Sequence, residues 1–148
     1  MEKKVNIISH IFQHMPGAWN FQRVISGFGT VQGTAIFRKL TEANTLAYRE
    51  EGILTALNGQ INKVYREYIY RYDNGQISVY FEDKRPFHTL QFTQNDFPLS
   101  ASAGHLCKCD MYDGVYTFFS EKNFKLYYSV KGPKKDYTIT TEFSKVSS

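Results

Sequence analysis

Cysteine is scarce, with two residues in 148, so no disulfide framework holds this chain together. Cys107 and Cys109 stand two positions apart. On one strand their side chains would share a face, where a disulfide between them would be strained, and both are read as reduced thiols. Proline is equally sparse at four residues, and with ten glycines the composition excludes a disordered or collagen-like chain. Nowhere do about 18 apolar residues run together, which excludes a membrane-spanning helix. The N-terminal residues lack the apolar core of a secretion signal, so a cytoplasmic location is expected. There is no internal repeat, low-complexity tract or heptad pattern, and no glycine-rich loop opening a helix, which disfavours nucleotide chemistry. The 18 basic residues are scattered among 14 acidic ones, and the net charge of +4 marks no nucleic-acid surface. Only Lys131, Lys134 and Lys135 form a dense basic spot.

What the chain has in quantity is aromatic side chains: 11 Tyr and 12 Phe beside one Trp, 16% in all. Such residues suit half-buried pleated strands and aromatic-lined cavities. The length is that of one domain, able to bury a core unaided. Val5, Ile8, Ile11, Phe12 and Met15 recur near helical spacing until Pro16-Gly17 stops the pattern, so a helical segment over 1–15 is expected to cap one end of the remainder. From residue 16 onward strand signals follow closely, near 17–27, 30–40, 44–55, 60–73, 76–82, 87–93, 104–111, 112–120, 123–132 and 136–145. Asp73-Asn74-Gly75 is the clearest hairpin turn, and Gly27-Phe28-Gly29, Leu57-Asn58-Gly59, Asp113-Gly114 and Gly132-Pro133 supply further punctuation. Gly114 is alternatively a bulge within a strand. Short strands in meander order predict an all-β fold, a single antiparallel up-and-down barrel of about 8–10 strands, because closure removes exposed edges. An open sandwich is the competing architecture.

Period-two alternation places ionisable residues on apolar faces. Arg23 shares a face with Trp19, Phe21 and Ile25, and Glu50 with Tyr48 and Leu54. In the fourth strand Val64, Arg66, Tyr68 and Tyr70 form one face, but Tyr65, Glu67, Ile69 and Arg71 suit the interior nearly as well, and the choice stays open. His88 aligns with Leu90 and Phe92, and His105 with Cys107 and Cys109. Buried charges need partners or a ligand. One reading gathers Arg23, Arg66, His88 and His105 around an anionic or carbonyl-bearing small molecule, with Tyr70, Tyr116 and Tyr128 among the aromatic walls and Glu50, Cys107 and Lys134 as further contacts. The other makes Glu50 bridge Arg23 and Arg66 in a purely structural network.

Catalysis without a cofactor is the alternative use of the same pocket: His88 with Tyr116, or His105 with Glu50, would suffice as an acid–base pair for a lyase or isomerase. Cys107 as a nucleophile has no supporting local signature. His105, Cys107 and Cys109 are the densest metal-capable cluster, with His88 as a further ligand for zinc or a haem-like iron. Alternate residues of a strand lie roughly 6.5–7 Å apart and fan poorly around one ion, so no metal and no cofactor is expected.

The motifs Gly17-x-Trp19-x-Phe21-x-Arg23, Phe87-His88-x-Leu90, His105-Leu106-Cys107 followed by Asp110, Tyr112, Gly114 and Tyr116, and Gly132-Pro133-x-Lys135-Asp136-Tyr137 resemble a family of small bacterial and fungal proteins classed as a domain of unknown function. The resemblance spans nearly the whole chain and implies a lipocalin-like, calycin-type barrel whose pocket would draw on Arg23, His88, His105, Cys107, Tyr116, Lys134 and Asp136. Gly17-x-Trp19 is also similar to the lipocalin opening, in which the Trp packs across the closed barrel end. Paired cysteines and a C-terminal Arg over that Trp are missing here; Lys145 is the only candidate cover.

Overall fold

The computed structural model describes residues 2–107 and 110–146, with side chains described for 7–104 and 110–146. A helix, α1 (Glu2–Gln13), precedes eleven strands: β1 (Gly17–Ile25), β2 (Gly29–Lys39), β3 (Thr45–Ala56), β4 (Ile61–Asp73), β5 (Gln76–Phe81), β6 (Pro86–Thr89), β7 (Gln91–Phe92), β8 (Leu99–Cys107), β9 (Asp110–Ser120), β10 (Asn123–Gly132) and β11 (Lys135–Lys145). They form one antiparallel sheet in the order β6-β5-β4-β3-β2-β1-β11-β10-β9-β8-β7. The two margins of that sheet are β6 and β7, consecutive pieces of one arm. β6 pairs with β5 and β7 with β8, so the sheet curls into a nearly closed barrel rather than a sandwich. Leu90, at the break in the arm, is buried and donates its amide to the Ile77 carbonyl at 2.9 Å.

Three expectations about the elements need correction. The arm reads as one strand, but it divides at Leu90, where pairing passes from β5 to β8; the register shift of β5 at Val79/Tyr80 falls within β6. The strand placed at 104–111 begins earlier, at Leu99; Ser100, Ser102 and Gly104 read as loop, whereas Leu99, Ala101 and Ala103 are all buried on the inner side. Asp113-Gly114 is neither turn nor bulge and runs inside β9 in unbroken register with both neighbours. The Asn74-Gly75 turn stands as expected, with both residues at positive φ (52° and 76°), the conformation that a two-residue hairpin loop demands.

The helix closes one end. Ile8, Ile11, Phe12 and Met15, spaced to share a face, are all buried. The Trp19 indole donates to the Met15 carbonyl at 2.9 Å and packs edge-on against Phe124 at 5.1 Å. Lys145 lies over the Trp19 ring, its Nζ 5.0 Å from the centroid, and donates to the His14 and Pro16 carbonyls at the point where the chain leaves α1. A lysine thus takes the covering position, and it ties the last strand to the cap. Phe21, Phe37, Phe118, Phe124 and Phe143 fill this end of the barrel with rings. Each such side chain contributes about 1.5–3 kcal/mol through burial. The helix is too short to cross a membrane; no helix among the described residues is long and apolar enough.

Trp19→Ala is expected to cost about 3–5 kcal/mol in urea unfolding, the usual cost of emptying a large aromatic site. Lys145→Met keeps the stem over the ring but removes the donor to two carbonyls, and should cost about 1.5–3 kcal/mol. Equal losses in the two variants would contradict the capping geometry.

Candidate functional site

Strand pairing settles which faces point inward. Glu50 lies opposite Arg66, and Tyr48 opposite Tyr68, so Val64, Arg66, Tyr68 and Tyr70 form the interior face of β4, while Tyr65 on the other face is exposed. Arg23 on β1 lies opposite Thr141 on β11. Above the aromatic end of the barrel these positions build a polar layer.

Its centre is a buried ion pair. Arg23 donates through both terminal nitrogens to the two Glu50 oxygens, at 2.6 and 2.9 Å, and through Nε to Thr141 Oγ1 at 2.8 Å. The Tyr48 hydroxyl donates to Glu50 Oε1 at 2.5 Å. Arg23 and Glu50 are 5% and 2% exposed, so both charges are removed from water and their stability depends on this set of bonds. Burial alone would raise the Glu50 pKa; the hydrogen bonds and charge of Arg23, the Tyr48 hydroxyl and the more distant Arg66 charge bring it below the usual carboxylate value. Burial would lower the Arg23 pKa, and Glu50 more than reverses that.

A second, uncharged cluster lies beside the first. The Tyr70 and Tyr116 hydroxyls are 3.0 Å apart, and His88 Nε2 is 3.4 Å from the Tyr116 hydroxyl and 3.5 Å from that of Tyr128. Burial drives the Tyr70, Tyr116 and Tyr128 pKa values far up, with neighbouring phenols adding to it, so all three remain neutral hydrogen-bonding groups. Tyr128 owes its place to Gly114: a Cβ there would come within 2.6 Å of its ring. Phe87 stacks against Tyr68 at 5.6 Å and 17°, and against Tyr128 at 6.4 Å and 24°.

Both clusters border a hollow of about 30 Å³ lined by Arg23, Tyr48, Glu50, Arg66, Tyr68, Tyr70, Phe87, Tyr116, Tyr128 and Thr141, with Val79, Leu126, Ile139 and Phe143 as the apolar wall. As it stands, this space accommodates about one water molecule. Arg66 is different from Arg23. It faces Glu50 across the β3–β4 ladder and lines the hollow, yet it is exposed and forms no ion pair among the described residues. Glu50 therefore does not bridge two arginines; Arg23 takes both of its oxygens.

The structure thus brings Arg23, Glu50, Arg66, Tyr70, Tyr116 and Tyr128 around one space, with His88 one layer behind, touching it through two phenols. Lys134 is set apart, exposed in the β10–β11 turn and outside the lining, and Asp136 is likewise exposed. Neighbouring Lys135 pairs with Asp110 at 3.0 Å. His105 and Cys107 belong to β8 opposite Tyr112 and Asp110. Their side chains, and Cys109 entirely, lie outside the described residues. Sequence reasoning missed Thr141 and Phe87 as lining residues. Thr141 is found only once β11 is known to pair with β1. Phe87 and His88 are consecutive and would face opposite ways in a regular strand; the irregular register of β5 and β6 removes that signal.

Residues 15–145 match the family of unknown function DUF6314. The chain belongs to that family. No curated protein matches it. Among solved structures it is similar to the S-type phycobiliprotein lyase CPES from Guillardia theta, at 8% identity, TM-score 0.66, and coverage of 93% of that chain by 95% of this one. It is also similar to EF1p2_mFAP2b bound to DFHBI, at 14% identity and TM-score 0.53, covering 94% of this chain and 99% of that one. A de novo designed fluorescence-activating β-barrel matches at 12% identity and TM-score 0.50, over 90% and 95% of the two chains. At these identities the likeness is one of fold, and it agrees with the barrel described above.

Glu50→Gln leaves a buried guanidinium without its counter-charge and should cost about 3–5 kcal/mol in urea unfolding at neutral pH, whereas joint replacement, Arg23→Met with Glu50→Leu, should cost less than the two single changes summed. The pH dependence follows from the lowered carboxylate: the stabilisation is complete above the unfolded glutamate pKa of about 4.3 and is lost as pH falls from there through the lower folded value. Wild type should therefore lose more stability than Glu50→Gln over that acidic window; parallel curves would refute the assignment.

Proposed function

We propose that this DUF6314 protein binds a small, partly aromatic molecule carrying an anionic or carbonyl group at the mouth of its barrel. The observation that carries this reading is the contrast between the two arginines. Arg23 is neutralised by Glu50 and held in the floor of the hollow. Arg66 borders the same hollow from an exposed position without a counter-ion among the described residues, beside the stacked rings of Tyr68, Phe87 and Tyr128. A guanidinium recognises carboxylate, phosphate or carbonyl oxygens through its fork of donors, and flat rings take the faces of an aromatic body.

The hollow of about 30 Å³ requires side-chain movement before anything larger than water enters. The ligand displaces Arg66 and the Tyr68–Phe87–Tyr128 stack outward and leaves the Arg23–Glu50–Thr141 floor intact. The neutral phenols of Tyr70, Tyr116 and Tyr128 then supply hydrogen bonds to its polar edge. That EF1p2_mFAP2b, a barrel of similar fold, is bound to DFHBI supports a small ligand as the partner of a barrel of this kind. Binding is favoured over turnover by the placement of His88. Acid–base work needs the imidazole within reach of the substrate, but His88 stands behind Tyr116 and Tyr128, whose raised pKa values make them poor proton donors.

Titration with the anionic aromatic fluorophore 1-anilinonaphthalene-8-sulfonate should give a saturable site that Arg66→Ala weakens tenfold or more, about 1.4 kcal/mol, with the fold unchanged by circular dichroism. Native mass spectrometry of protein taken from its own host should show an added mass that the same variant loses. Equal fluorophore affinity in wild type and Arg66→Ala would sink the proposal.

A further inference from the structure

A separate cluster lies at the closed end, on the outside of the cap. His10, in the last turn of α1, and His14, one turn further on, bring their rings together at a centroid distance of 4.2 Å and a tilt of 42°. Glu121, in the turn between β9 and β10, reaches across to His10, its Oε2 2.9 Å from His10 Nε2. One ligand-capable atom from each of the three residues lies within 4.8 Å of the others. We propose that His10, His14 and Glu121 form a binding site for a divalent transition-metal ion of the zinc class, which fastens the helical cap to the β9–β10 turn.

The chemistry of the donors favours this class. Two imidazoles and one carboxylate are a set that zinc accepts, with the remaining position left to water. Metal–ligand bonds of about 2.0–2.2 Å put neighbouring ligand atoms of a tetrahedral site about 3.3 Å apart, so small side-chain rotations within the existing cluster suffice. His14 is already oriented for the task. Its Nδ1 is 2.8 Å from the His10 carbonyl, which only accepts, so Nδ1 carries the proton and the neutral ring presents Nε2 as its lone pair. Backbone hydrogen bonding of one ring nitrogen is the usual way a metal-ligating histidine is aimed.

The alternative is a solvated ion pair between His10 and Glu121, and it accounts for the cluster less well. Both side chains are more than a third exposed, where such a pair contributes little. The C-terminal end of a helix also favours a cation through its free carbonyls. The three residues are accessible to an ion from bulk water, and none of them borders the hollow inside the barrel.

The test is zinc competition against the chromogenic chelator 4-(2-pyridylazo)resorcinol, using the full chain stripped of metal. Expected are one zinc ion per chain, a tenfold or greater loss of affinity in His14→Ala and in Glu121→Gln, and a zinc-dependent rise in thermal midpoint that both variants lose. These residues are on the surface, so the variants should keep the wild-type circular dichroism spectrum. If His14→Ala nevertheless unfolds, Glu121→Gln decides alone. Absence of zinc uptake by the wild type would overturn the proposal, as would uptake that both variants retain, which would place the ion on other residues such as the two cysteines.

Discussion

The interior of this barrel is organised by one buried ion pair, Arg23 with Glu50. Its members come from β1 and β3, strands that are not neighbours, and Thr141 brings in β11 as well. On the intervening β2, Val31 lies opposite Arg23 and Ala35 opposite Glu50, with Gly33 between those two positions. Removing two charges from water is costly, and only near-complete hydrogen bonding offsets it. That requirement fixes the rotamers of Arg23, Glu50 and Tyr48 together. It also divides the interior: below lies a solid pile of rings against the helical cap, above lies the hollow with its phenols and the outer arginine.

This division explains why a chain so rich in tyrosine and phenylalanine keeps charged residues inside. The aromatic layer buries large rings, and the polar layer adds a hydrogen-bonded network that accepts one arrangement and rejects near alternatives. Neutral phenols around a neutralised arginine leave a lining that is polar, and the charge without an ion-pair partner at its border, among the described residues, is the exposed guanidinium of Arg66.

Much of the architecture was legible in the sequence, because β-strands with one buried face alternate visibly. β1 to β4 and β9 to β11 fall within a few residues of their expected places, and Asn74-Gly75 announces its own turn. What escaped has physical causes. β8 is built from small residues that pack as well inside a barrel as they float in a loop. Asp113-Gly114 carries turn chemistry, but the glycine is there to admit the Tyr128 ring. In the site, the alternation rule put Arg23 and Glu50 on inner faces but left the inner face of the fourth strand, and so Arg66, open, and it could not say which arginine Glu50 would choose. Strand order decides that, and strand order is a long-range property. The His10–His14–Glu121 cluster was invisible for the same reason, since its third member arrives from a turn more than a hundred residues away.

The divided arm has a mechanical consequence. Its first half is stitched to β5 and its second half to β8, but the second half contributes only two register partners, Gln91 with Ser102 and Phe92 with Ala101. The β5–β6 ladder on the other side of the break has three register partners, and the remaining ladders around the circumference are longer. The wall therefore has a built-in seam, a short zip hinged at Leu90, and the least work needed to part the staves is found there. Fluctuations that widen the lumen will concentrate along that line, while the capped base keeps its shape.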